Sequence, residues 1–244
     1  MKVKYLIVLA LLAGCQKEKA VTETAVVAPE NKTEVMLPKE EKFLKTDTIS
    51  ISEGGETSKN NYILAHLLDQ KADKDSIVTQ HYQLDFYQDK AKTASSKVSI
   101  EGYQKGSEWG ASYGLSSTAA KNSSFIQLSF GYPACGYTQN NYLYYLKDKD
   151  LQLVYEWDTM SDSGWGSWVE FTAPKNKPET ESFYCKRVAF EPDDDNEDMG
   201  TAKHSDSIVF RFKNQHWTKQ LLSPADQTYF EKKMSFNAFH EIKQ

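Results

Sequence analysis

From Thr46 onward the chain is written in short segments where apolar and polar residues alternate, filled by β-branched and aromatic residues and bounded by Gly, Asn, Asp or Ser. Leu151, Leu153, Tyr155 and Trp157 share one parity of such a run, and Ile208, Phe210 and Phe212 share another. A period of two sends alternate side chains to one face, so each run predicts a strand with one buried side. The pattern places strands at 47–52, 77–87, 97–104, 108–115, 124–131, 141–147, 150–157, 165–171, 183–190, 206–212 and 215–220. Antiparallel pairing is expected, because a parallel sheet covered on both faces would show longer apolar runs.

Two segments depart from that period. Ile63, Leu64, Leu67 and Leu68 fall at helical spacing, with Ser58 as a cap, which predicts a short helix over 62–68. Ser223-Pro224-Ala225-Asp226 offers an N-cap, a proline at the first helical position and an early acid, which predicts a second helix over 224–233. The expected fold is therefore mainly β: an antiparallel β-sandwich or strongly curved sheet with two short helices, forming a single domain over 46–244.

The first 45 residues follow a different logic. A positive start (Lys2, Lys4) precedes an uninterrupted apolar run from Tyr5 to Ala13. The run is too short to span a bilayer, which takes about 20 apolar residues, and reads as a secretory signal. Residues 16–45 hold no aromatic residue before Phe43, contain Pro29 and Pro38, and intersperse Lys with Glu without apolar periodicity, the composition of a tether.

The signal ends in Leu12-Ala13-Gly14-Cys15, which resembles the lipobox of bacterial lipoproteins. The resemblance covers the first fifteen residues. It implies cleavage before Cys15, leaving 1–14 as signal peptide, and acylation of Cys15 on its thiol and new amino group with fatty chains such as palmitate. Several acyl chains anchor a protein stably where one does so only marginally. The partner so implied is a lipid membrane, and the place the cell envelope. Gln16 after the Cys, instead of Asp, implies the outer membrane under the sorting rule of enteric bacteria. Cys15-Gln16-Lys17-Glu18-Lys19 also resembles the surface-export signal of some Bacteroidetes lipoproteins, with Lys19 in place of a second acid, so both the periplasmic and the surface face stay open.

Charge and cysteine content narrow the rest. The formal net charge of −5 becomes two units more negative when Lys2 and Lys4 leave with the signal. That balance argues against nucleic acid as a partner, since phosphate binding relies on Lys and Arg. With Cys15 lipidated, Cys135 and Cys185 remain. In an oxidising compartment they read as a disulfide, which in the chain-entropy model contributes about 4 kcal/mol, or else as two buried free thiols.

Several constellations bear on chemistry. Gly110-Ala111-Ser112-Tyr113-Gly114 matches the nucleophile-elbow pattern in letters, yet its flanks read as one continuous strand without the following helix that an elbow needs. Asp193, Asp195 and Glu197 alternate within an acidic run and offer hard oxygens for calcium; the other reading is a solvated loop. The stretch from Asp158 to Trp168 joins two predicted strands as a long hairpin connection and places Asp158 and Asp162 beside Trp165 and Trp168. It reads either as a surface for a glycan, cell-wall or protein ligand, or as two tryptophans closing the core. The five His show no close ligand spacing.

No catalytic set assembles in the sequence, so the expected function is a membrane-anchored envelope lipoprotein with a non-catalytic ligand- or partner-binding domain. The alternative is a secreted hydrolase of envelope polymers or glycans, with a carboxylate pair from 156–162 or 193–198. No cofactor is expected beyond the calcium candidate.

Overall fold

The computed structural model describes residues 42–116, 123–173 and 180–241. The lipobox with Cys15, and the tether as far as residue 41, lie outside the described residues. The chain joins the sheet just before Thr46: the Leu44 amide donates to the Leu67 carbonyl at 2.8 Å, and the Phe43 ring stacks on His66 at 4.0 Å.

Among the described residues, thirteen strands form one continuous sheet. A first meander comprises β1 (Lys45–Glu53), β2 (Glu56–Ala72), β3 (Val78–Gln88) and β4 (Ala91–Glu101). The chain then returns to the free side of β1 as β5 (Glu108–Tyr113), the one parallel pairing among the described strands. From there it meanders outward through β6 (Phe125–Gly131), β7 (Thr138–Lys147), β8 (Asp150–Asp162), β9 (Trp165–Thr172), β10 (Ser182–Asp193), β11 (Asn196–Lys213) and β12 (His216–Leu221). A last strand, β13 (Phe230–Ser235), pairs with the first half of β11, and α1 (Phe236–Glu241) follows it.

All eleven strands expected from alternation are present, several of them longer than the pattern suggests. Five hairpins close on two residues that both have positive φ: Gly54-Gly55, Asp89-Lys90, Asp148-Lys149, Ser163-Gly164 and Asn214-Gln215. Such turns twist in the sense of the flanking strands, which is why tight hairpins favour them.

The sheet is curved strongly enough to make two large cores and a smaller third one of Val188, Phe190, Ala202 and Phe239 beneath α1, so the sandwich of two separate sheets does not form. Four inter-strand spacings separate β4 from β5, about 19 Å in a flat sheet. The six-residue link between them is bent at Gly102 and Gly106 (φ +77° and +97°), and β1–β4 roll toward β5. The roll buries Ile63, Leu84, Phe86, Ile100 and Leu128 around Tyr144. Tyr144 on β7 packs against Phe86 at 5.0 Å, and its hydroxyl donates to Ser96 Oγ on β4 at 3.2 Å.

Beyond β7 the sheet curls toward its other face. Leu143, Phe183, Cys185, Phe210 and Trp217 form the second core, with Phe183 stacked on Phe210 at 4.5 Å. Here β12 meets β8, four strands away in the hydrogen-bonding order, through one side chain. The Gln152 carboxamide accepts from the Trp217 amide at 2.8 Å and donates to the Trp217 carbonyl at 2.7 Å, standing in for a peptide group of a missing strand.

Both expected helices are corrected. Residues 62–68 belong to β2: Ile63, Ala65 and Leu67 face the first core, while His66 is buried on the opposite side. Coverage on both faces gave that stretch its helix-like run of apolar residues. The segment 224–233 turns and then enters β13, because Asp226 adopts φ +55° and donates its amide to Asp206 Oδ1, a conformation a helix does not admit. The helix that does form, α1, starts at Ser235, whose Oγ accepts from the Ala238 amide.

The expected disulfide is absent. Cys135 is exposed in the β6–β7 turn, whereas Cys185 is buried in the second core. Burial pushes the Cys185 thiol up to about 12, which leaves it an inert apolar side chain.

One buried charge cluster lies outside both cores. Asp85 on β3 accepts from Lys92 Nζ at 2.6 Å, Ser95 Oγ at 2.7 Å and Gln83 Nε2 at 3.1 Å, and lies 3.4 Å from His66 Nε2. Burial pushes its carboxyl up, but these donors outweigh burial and hold it below the usual carboxylate range. Its contribution to stability is therefore present at neutral pH and lost as pH falls through the folded-state value.

Replacing Gln152 with Leu strands the Trp217 amide and carbonyl beneath β8. Urea unfolding should show a loss of about 2–4 kcal/mol. A loss under 0.5 kcal/mol would mean that the curl closes without this side chain.

Candidate ligand-binding groove

Strand register brings residues far apart in sequence onto one face. Trp168 on β9 pairs with Val188 on β10, Val188 with His204 on β11, and His204 with Phe230 on β13, giving one straight row across four strands. In the adjacent row Glu170 lies opposite Lys186. On the other side of the first row, Phe190 and Ala202 are buried under α1, where Phe239 stacks on Phe190 at 4.0 Å and 5°.

These rows form the floor of a groove of about 760 Å³, within the range of small-molecule sites. Trp168, Phe230, Met234, Phe239 and Leu115 give it apolar walls. Its polar strip is continuous. The Trp168 indole N–H donates to Glu170 Oε1 at 3.2 Å, Lys186 Nζ sits 3.4 Å from Glu170 Oε2, and the same Nζ lies 3.4 Å from His204 Nε2. Phe230 stacks on the His204 ring at 4.5 Å and holds it against the sheet. A ligand there would meet ring faces on its sides and alternating acidic and basic groups beneath it.

The residues singled out in the sequence are dispersed by the structure. The expected long connection is corrected: Ser163-Gly164 turns the β8–β9 hairpin tightly, because both residues adopt positive φ, and most of the 158–168 stretch is strand. Trp168 enters the groove. Both tryptophans pack against the third core: Trp165 stacks on Phe190 at 4.5 Å and 11° and tilts against Phe236, and Trp168 meets Phe239 edge-on at 6.0 Å. Gly200 makes that packing fit, since a Cβ there would lie 2.4 Å from the Trp165 ring. Both tryptophans are thus partly buried against the core, and Trp168 also lines the groove.

Asp162 is exposed at the hairpin end and accepts from Ser163 Oγ. Asp158 joins Asp206, Asp226, Arg187 and Lys219 around a shallow depression that neither tryptophan lines, with Arg187 Nη2 3.4 Å from Asp158 Oδ1. Ser112 lies inside β5, paired with Gln127 of β6, so the letter match to a nucleophile elbow has no elbow geometry.

The acidic run forms the β10–β11 hairpin. Asp193 accepts the Asp195 amide and is ion-paired to Lys233, which holds its carboxyl below the usual range; Asp195 and Glu197 are exposed. Glu197 shares a small recess with Trp165 and Asp198. Among the described residues no three His, Cys, Asp or Glu side chains come together in a way that could hold a metal ion.

Glu170, Lys186, Phe230 and Phe239 carry the groove and were not singled out by the sequence; His204 was, but only as one of five scattered His. The available signal was parity: Trp168 and Glu170 share one side of a strand, as do Lys186 and Val188. What the sequence lacks is the register that joins the two sides. Comparison with protein-family models, with curated proteins and with solved structures found no match to this chain.

Trp165 and Asp162 separate core from surface within one hairpin. Trp165→Ala should lower unfolding stability by about 3 kcal/mol, whereas Asp162→Ala should leave it within about 0.5 kcal/mol. Equal effects of the two would contradict the packing described.

Proposed function

We propose that the chain is a lipid-anchored protein of the bacterial envelope whose β domain binds its ligand, without transforming it, in the groove between β9–β11, β13 and α1. The observation that carries the binding half of this reading is the groove itself: ring faces on the walls and a Glu170–Lys186–His204 strip on the floor. Aromatic walls supply contact area, and a few placed polar groups supply orientation, the usual division of labour in binding sites. Glycan hydrolysis uses two converging carboxylates. Glu170 is the only acid among the described residues lining the groove, and it is engaged by Lys186 and Trp168.

The anchoring half rests on Leu12-Ala13-Gly14-Cys15, which supports acylation at Cys15, and on Gln16 after it, which supports residence in the outer membrane. The ligand then belongs to what that compartment contains: a cell-wall fragment, a glycan or another envelope protein. The hydrolase alternative finds its support in the depression holding Asp158, Asp206 and Asp226, where carboxylates do gather but no tryptophan stands over them.

Both halves are tested on the full-length chain. Cys15→Ser should move the protein from the membrane fraction to the soluble fraction, and retention in the membrane after signal cleavage would contradict the anchor. Soluble cell-wall fragments titrated against tryptophan emission should give a saturable change that weakens at least tenfold in Trp168→Ala, with the fragments recovered intact by mass spectrometry. Cleaved fragments would favour the hydrolase, and an unresponsive signal across cell-wall, glycan and envelope-protein ligands would remove the groove as a binding site.

A further inference from the structure

A second concavity shares no lining residue with the groove. It lies between the β4–β5 link and the β6–β7 turn and encloses about 460 Å³. Its chemistry differs in kind. Tyr103, Tyr132 and Tyr137 supply three aromatic rings over the buried Phe130, while Gln104, Ser107, Thr138 and Asn140 supply neutral hydrogen-bonding groups. Glu101 is the single charged side chain among its described lining residues.

The rings are held by the backbone. Tyr132 and Tyr137 flank the Pro133–Gly136 turn with centroids 4.8 Å apart at 48°, so they present angled faces and not one flat plate. Tyr103 packs on the buried Phe130, 6.3 Å away at 26°, which fixes its ring at the cleft's floor. The link approaches Tyr132 closely because Gly106, at φ +97°, has no side chain; a Cβ there would lie 3.0 Å from the ring. The turn itself is pinned. Gln139 Nε2 donates to the Tyr132 carbonyl at 2.7 Å, and the Gly136 amide donates to the Ser161 carbonyl at 2.9 Å.

The geometry points to a binding site for a neutral saccharide in this cleft. A pyranose ring has an apolar C–H face and an equator of hydroxyls. Tyrosine rings match the first, and amide and hydroxyl side chains match the second, at low entropic cost because a tyrosine has few rotatable bonds. The near absence of charge in the lining argues for an uncharged ligand, since an ionic ligand would be stripped of water with nothing to pair it. The volume suits one or two sugar rings. Glu101 at the rim accepts from sugar hydroxyls, as carboxylates do in charge-assisted bonds.

Binding to an array of neutral and acidic oligosaccharides, with the full-length chain in micelles of a detergent that carries no sugar headgroup, tests the assignment. A neutral oligosaccharide should bind saturably. Tyr137→Ala and Asn140→Ala should each weaken it at least tenfold, Tyr137→Phe should largely retain it, and Asp195→Ala in the exposed β10–β11 hairpin should leave it unchanged. Unaltered near-ultraviolet circular dichroism shows that the variants fold. Binding confined to acidic sugars, binding insensitive to Tyr137 and Asn140, or no binding of any neutral sugar at millimolar concentration would each overturn it. Loss in Trp168→Ala alone would move the saccharide to the groove and refute the second site.

Discussion

Strand β7 is the wall on which the architecture depends. Tyr142, Tyr144 and Leu146 point into the first core while Leu143 and Tyr145 point into the second, so nearly every side chain in its centre is enclosed. A sheet with one apolar face needs only one partner layer; a strand apolar on both faces forces the sheet to bend toward each in turn. The N-terminal strands roll over one face and the C-terminal strands over the other. Closure comes from specific contacts at each end: Tyr144 against Phe86 and Ser96, and Gln152 clasping the Trp217 backbone. Loss of Tyr144 would open a cavity in the first core and weaken the wall that the second core also uses.

This arrangement positions both candidate sites. The groove exists because β11 is long enough to carry β12 on its second half and β13 on its first, which brings Phe230 beside His204 and sets α1 over Phe190. The saccharide cleft exists because the roll brings the β4–β5 link next to the β6–β7 turn. Neither site is a loop appended to a finished scaffold; each sits where the curvature brings distant strands or links together.

Alternation located the strands well, because period two is a local property. It placed the strand at 141–147 but not its burial on both faces. The run Tyr142-Leu143-Tyr144-Tyr145-Leu146 reads as continuous apolar sequence, and its meaning, a strand between two cores, needs partners that the local pattern does not name. The same ambiguity turned 62–68 into a helix. At 223–226 the cap signal was genuine, but Ser223 accepts the Ser207 amide and Asp226 bonds to Asp206, so the residues serve a turn instead. The cysteine pairing failed because loop length says nothing about which face or strand a thiol occupies. In the candidate site, Trp168 was visible as an exposed-aromatic signal, whereas Glu170, Lys186 and Phe230 become a site only through register.

The dependence of both cores on β7 is most directly tested by native-state hydrogen exchange across a denaturant series. The slowest amides of β3, in the first half, and of β10, in the second, should open together, with the free energy of global unfolding. A lower-energy opening that exposes one half while the other stays protected would show two independent units and contradict a single shared wall.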